Sequence, residues 1–396
     1  MHAKTLVALT FAILATASYA HAAVPPTQAE QGAGGMDYTG SEVIKRSVGS
    51  AEEPIFVFYA KEGGTEPRPV IVFFHSWGGN NPRYFGNWIE HLARKGNLVL
   101  FPKFQEVNKT RPMDATTIAS RMVSSALKAL SEDDQVRPDK DKIAFVGYLA
   151  GSIVALDLAA GAKGYDLPEP KLVMSLMPGG VAKEGDSKGI PMPDLSNIPT
   201  STMLITMNGD QDHVPADRLV KRIMAESTGV PAAQKLFMRV VSDRHGYPPL
   251  SATLVAPGAV NEEYAADKIP LPPSAAVEET LAPVKGKGKG KKAAQKDPRV
   301  KWTSDMALTG PQSTLTMMLG NNGTDNLDYR AFWKTLDLVT DAAFAGKEAV
   351  TLKANPAFLD MGIWSDGWPV RRLSADSPKD GREEADTTAA TKRRRF

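Results

Sequence analysis

Two kinds of apolar pattern alternate along this chain. Short continuous runs read as strands: residues 54–59, 69–75, 97–102, 142–147, 171–178, 202–208 and 235–242. Between them, apolar residues recur every three to four positions. Ile118, Met122, Ala126 and Leu130 share one stripe of a helix predicted over 115–130. An apolar helix follows the 142–147 strand at once and runs to about Ala160. A third helix is predicted over 215–228, with Pro215 near its first turn, and an amphipathic one over 328–344. Strands alternating with helices, several of them apolar throughout, predict an α/β fold: a mostly parallel central sheet with helices on both faces. In such sheets the ligand site lies at the carboxyl ends of the strands.

The pattern divides the chain into a core at 40–250, a Pro-, Ala-, Glu- and Lys-rich basic insertion at 251–300, a helical part at 301–373 and a polar, disordered tail at 374–396. Residues 23–40 are small and polar and read as a flexible lead-in. Residues 1–22 have the form of a signal peptide. Lys4 supplies the positive charge, residues 6–15 the apolar run, and Ala20-His21-Ala22 the small-x-small cleavage site. That run is shorter than the roughly 20 residues a spanning helix needs. The expectation is an exported protein, periplasmic or extracellular, without a membrane span.

Composition narrows the chemistry. The 396 residues carry 47 Lys and Arg against 45 Asp and Glu, a net charge of +2, which argues against nucleic acid as a partner. The basic run from Lys285 to Lys292 is the exception, and a weak contact with anionic surfaces is the most it suggests. With no cysteine, thiolate nucleophiles, thiolate metal sites and disulfides are excluded. No metal-ligand spacing such as H-E-x-x-H occurs, and neither a metal nor a cofactor is expected. Of the six histidines, His2 and His21 fall in the signal. His75, His91, His213 and His245 remain, with His91 read as a surface helix residue and His213 as loop structure.

Gly147-Tyr148-Leu149-Ala150-Gly151 stands between the 142–147 strand and its helix. It resembles the G-x-S-x-G nucleophile elbow of the α/β-hydrolases, with Leu149 at the serine position. Phe73-Phe74-His75-Ser76-Trp77-Gly78-Gly79 resembles the family's oxyanion loop, and Ser76 replaces a more usual glycine. The resemblance implies an oxyanion hole from the backbone N–H groups of Trp77 and Ala150. Asn208-Gly209-Asp210-Gln211-Asp212 resembles the turn that carries the triad acid, which implies Asp212, with Asp210 second. Ser242-Asp243-Arg244-His245-Gly246 resembles the loop that carries the histidine, which implies His245. The chain order elbow, acid, histidine is that of the fold. Segments 96–102, 327–329 and 361–367 extend the resemblance to exported bacterial hydrolases of the esterase, lipase and dienelactone-hydrolase kind. There Trp333, Trp364 and Trp368 either line the site or pack in the core.

Leucine offers His245 no proton to remove. Loss of the serine costs a serine protease roughly a million-fold in turnover, leaving about 10³–10⁴ over water. The expectation is therefore a relative of carboxylic-ester hydrolases, catalytically impaired, that binds an ester or lipid-like ligand. Two alternatives stand beside it. One is an active hydrolase that uses Ser152, one turn into the helix, or a water activated by His245 and Asp212. The other is a non-enzymatic envelope binding protein.

Overall fold

The computed structural model describes residues 22–64, 66–106, 109–182, 187–212, 214–272 and 312–377. Nine strands form one sheet in the order β1-β2-β4-β3-β5-β6-β7-β8-β9. β3 (Pro67–Phe74), β4 (Leu98–Pro102), β5 (Arg137–Tyr148), β6 (Leu172–Leu176), β7 (Met203–Gly209) and β8 (Lys235–Val240) run parallel. β1 (Val43–Gly49) and β2 (Pro54–Ala60) pair antiparallel to each other, and β2 also to β4. β9 (Ser374–Asp376) closes the far edge, antiparallel to β8.

Side chains alternate across the pleat, so each strand feeds two cores. Phe56, Phe58, Ile71 and Phe73 pack on one face with Trp88, Ile89 and Leu92 of α1 (Gly86–Arg94) and Leu336 and Val339 of α6 (Lys334–Phe344). Ile55, Val57, Val70 and Val72 pack on the other, beneath α2 (Ala115–Ser131), α3 (Ala150–Ala160) and α4 (Val214–Glu226). α3 is apolar all round because it is enclosed all round: from Ala150 to Ala159 only Asp157 is not buried. Gln312–Gly320 forms α5, and a π-helical segment, Leu327–Trp333, leads directly into α6.

The pattern reading is corrected at five places. Residues 23–40 are tied to the body rather than forming a loose lead-in. Asn326 donates to the Pro26 carbonyl (3.1 Å) and the Gly34 N–H donates to Asp337 (2.7 Å). The insertion does not start at 251: Ala252, Ala259, Tyr264 and Ile269 are buried in the core, and the Ala259 N–H bonds the Tyr84 carbonyl. The tail does not start at 374, because Ser374–Asp376 is a sheet strand. His91 is not a surface residue. It is buried, stacked on Trp333 and bonded to Asp337 at 3.0 Å. β1, half-buried along its length, has too few apolar positions to announce itself. The signal segment up to residue 21, His213 and the Lys285-to-Lys292 run lie outside the described residues. No helix among the described residues is long and apolar enough to cross a membrane.

Candidate active site

The register sets two loops side by side. Phe74, the last residue of β3, pairs with Gly147 of β5, so the loop after β3 and the turn after β5 leave the sheet together. At that turn Leu149 has φ 51° and ψ −115°, a backbone conformation that L side chains avoid. It is held there by three hydrogen bonds. Its N–H donates to the Leu176 carbonyl (3.0 Å), and its own carbonyl accepts from Ser152 (3.0 Å) and Gly179 (3.3 Å). The flanking glycines are steric necessities. A Cβ on Gly147 would overlap the backbone of Gly151 and Ser152, and one on Gly151 the carbonyls of Phe74 and His75. This sharp, strained strand-to-helix turn at the top of a parallel sheet has the backbone geometry of a nucleophile elbow.

The chain has the α/β-hydrolase fold.

Comparison with known proteins gives only distant likenesses. Residues 29–186 match a family model described as Chlorophyllase. No curated protein matches the chain. Similar solved structures include an esterase from Pyrobaculum calidifontis, 13% identical over 52% of this chain and 77% of that one, with a TM-score of 0.39. An α/β hydrolase from a Medee basin deep-sea metagenome library is 17% identical over 53% and 85%, with a TM-score of 0.38. A Rhizomucor miehei esterase is 12% identical over 58% and 81%, with a TM-score of 0.40. The fold assignment rests on the sheet and the elbow, not on these likenesses.

In this hydrolase-fold chain the donor side of the site is built in detail. After β3, the Gly79 N–H closes a turn on the Ser76 carbonyl (2.8 Å), with Gly78 at φ 81° as the residue that needs glycine. The Gly78 N–H is taken by the side chain of buried Gln105 (2.8 Å). The Trp77 indole is packed in the core. Among the described residues, the N–H groups of Trp77 and of Ala150, the first residue of α3, make no hydrogen bond within the protein. They are the two donors that the resemblance implied. A helix N-terminus adds its partial positive charge behind the second.

His75 supports this loop from below. Its ring is fully buried and stacked on Phe104 at 4.1 Å, and Nδ1 lies 2.7 Å from the Ser76 carbonyl. Burial lowers its pKa to about 4, so near neutral pH it is an uncharged donor to that carbonyl.

Leu149 itself is half-buried. Its isobutyl group leans toward the loop after β6, where a Cβ on Gly179 would come to 3.6 Å. That loop carries a second strained residue, Met177 at φ 46°, whose N–H bonds the Met207 carbonyl (2.7 Å). Ser152 does not reach the site. It is fully buried, and its hydroxyl lies 2.7 Å from the Gly147 carbonyl and 3.0 Å from that of Leu176. As an alternative nucleophile it is therefore corrected to a structural residue that ties α3 to the strands beneath.

The acid side differs from the expected arrangement. Asp210 accepts from the N–H (3.0 Å) and hydroxyl (2.5 Å) of Ser242 and so joins the ends of β7 and β8. Asp212 is half-buried after β7. Burial first, then the charge of Asp212, pushes the Tyr148 phenol up, and that phenol donates to the Leu254 carbonyl at 2.7 Å. The carboxylate hydrogen-bonded to the His245 ring is Asp366, at 2.7 Å from Nε2, not Asp212. The hydrogen bond from His245 holds the Asp366 carboxyl below its ordinary range. The ring lies between Trp364, buried, and Trp368, exposed, at 5.7 and 5.9 Å.

Asp243 organises this loop. Burial pushes its carboxyl up, but hydrogen bonds from the N–H groups of Arg371 and His245 and the Trp364 indole outweigh it, and the pKa is lowered. Sequence reasoning missed Asp366, Asp243, Gln105 and Met177. Asp366 sits in a Ser-Asp-Gly turn that looks like any loop, and no local pattern ties it to a histidine 121 residues away. No group of three or more His, Asp or Glu side chains among the described residues is arranged to hold a metal.

Proposed function

We propose that this is an exported relative of carboxylic-ester hydrolases that binds an ester or lipid-like ligand against the Trp77 and Ala150 N–H groups and has lost serine-dependent turnover. The observation that carries the reading is Leu149 at the apex of the elbow. Its position is that of the nucleophile, and its side chain has no atom that can attack a carbonyl or be deprotonated. The retained donors still favour a ligand oxygen carrying negative charge. The export segment at residues 1–22 supports a periplasmic or extracellular setting.

His245 is the group that a restored serine would use, with Asp212 as its acid. The contact with Asp366 engages Nε2, the nitrogen that faces the nucleophile in a working triad. Activity in a restored enzyme therefore requires the imidazole to turn away from Asp366.

The test is hydrolysis of a short chromogenic ester by four forms: the unmodified chain, Leu149→Ser, Leu149→Ser/His245→Ala and Leu149→Ser/Asp366→Asn. The expected result is silence from the first and turnover from the second that the third loses. Release of the ring in the fourth raises turnover over the second. Substituting Asp212→Asn in the Leu149→Ser background abolishes it if Asp212 is the acid. Strong His245-dependent turnover by the unmodified chain would sink the proposal and point to a water activated by His245.

A further inference from the structure

Large hydrophobic side chains exposed among the described residues number nine, and four of them fall on three segments joined into one unit. They are Val24 (55% exposed), Tyr247 (72%), Ile363 (59%) and Trp368 (64%). The Tyr247 N–H donates to the Ala23 carbonyl (2.8 Å) and the Ser365 N–H to the Val24 carbonyl (3.0 Å), so residues 23–24 lie between the other two segments. The Val24 N–H returns a bond to the Ser365 hydroxyl (2.9 Å), and the Trp364 N–H closes its hairpin on the Trp368 carbonyl (2.7 Å). Gly246 is wedged against the Ala23 carbonyl and the Trp364 ring with no room for a Cβ. The apolar side chains are thus presented by a fixed support rather than by a loose loop.

Three exposed guanidinium groups, Arg244, Arg371 and Arg372, belong to the same segments and their continuation. The one carboxylate on the Ile363–Trp368 hairpin, Asp366, is already engaged by His245.

We propose that this face docks on a lipid bilayer that contains anionic lipid. Clustered exposed apolar residues mark an interaction site. Trp and Tyr favour the headgroup level, where the ring is in apolar surroundings and its polar edge is wet. Arginines beside them add attraction to an anionic surface. A second copy of the chain fits less well, because a two-fold pairing sets the same arginine-bearing patch against itself. Docking places Trp368, with the His245 ring centroid 5.9 Å from its own, at the membrane surface. The inference does not depend on the reading of Leu149, since docking requires no turnover.

The experiment compares partitioning of the full chain and of Tyr247→Ser/Ile363→Ser/Trp368→Ser onto vesicles of phosphatidylcholine alone or mixed with phosphatidylglycerol. Segments outside the face contribute equally to both proteins and cancel. The unmodified chain should partition onto the anionic vesicles, more weakly at high salt, with a blue shift in tryptophan emission. The triple variant should lose about a hundredfold in partitioning. Because the substituted side chains are exposed, its melting temperature should be nearly unchanged. Should it fail to fold, brominated lipid should quench the unmodified chain, and Trp368→Phe should lose most of that quenching. Equal partitioning of the two proteins, or no partitioning by the unmodified chain, overturns the proposal. So does self-association that the triple variant abolishes while vesicles bind neither protein.

Discussion

The two halves of the candidate site are organised by different means. On the β3–β5 side the backbone around Leu149 is fully organised. The elbow is strained, its glycines are sterically required, and two N–H groups make no hydrogen bond among the described residues. On the β7–β8 side the histidine loop is equally well organised, but for another pairing. Asp243 gathers three donors, and His245 is bonded to a carboxylate from the C-terminal hairpin. A backbone device made of main-chain bonds and glycines survives a side-chain substitution because it does not depend on that side chain. A side-chain device such as a triad depends on which side chains meet, and here His245 meets Asp366.

The largest effect should come from breaking the first half. In Gly151→Ala the new methyl would occupy the space of the Phe74 and His75 carbonyl oxygens, at the C-terminal end of the central strand β3, where the backbone has little room to move. Loss of about 3 kcal/mol or more of stability is expected, read by denaturant unfolding. A mild effect would mean that α3 and the β3 loop are not locked together, and the contrast between the halves would fail.

Next comes the pH response of His75. Its pKa is about 4 in the fold against 6.5 in an unfolded chain. Between those values the unfolded state binds the extra proton, so stability falls as pH drops through that window. The loss approaches about 3 kcal/mol by pH 4. His75→Gln should flatten this limb whatever it does at neutral pH, and unfolding curves at pH 7, 5.5 and 4.5 decide it. An unchanged limb would place the acid sensitivity elsewhere.

Ser152→Ala should cost about 1–2 kcal/mol, because the two carbonyls lose a buried donor. In a Leu149→Ser background it should leave ester turnover per folded molecule unchanged. A specific loss of turnover would return Ser152 to the chemistry.

How far the sequence made this visible follows from the same contrast. Continuous apolar strands, the 115–130 helix and the elbow are local patterns, written in consecutive residues, and the structure repeats them with shifted ends. The trouble lay where a segment's fate depends on distant partners. Residues 251–272 read as part of a solvated insertion because Pro and Ala dominate locally, yet Ala259 and Tyr264 are buried by packing against β2 and α1. His91 looked exposed among polar neighbours until Asp337 and Trp333, more than 240 residues on, enclosed it. The Asp366 partner of His245 belongs to the same class. A resemblance can nominate Asp212 by its spacing, but only tertiary structure decides which carboxylate meets the ring.

The smallest effect should come from the second half. His245 and Asp366 are a partly exposed pair, so solvent screens most of their mutual attraction. The Asp366 carboxyl is lowered in the fold, so its contribution is present above the ordinary carboxylate range and is lost as pH falls through its lowered value. Asp366→Asn should therefore lower the melting temperature near neutral pH by no more than about 2 °C, and by nothing once the carboxyl is protonated. A difference several times larger, or one that persists in strong acid, would show that Asp366 holds the C-terminal hairpin in place rather than only the ring. The histidine side would then be as rigid as the elbow, and a serine returned at position 149 would find an imidazole that cannot turn toward it.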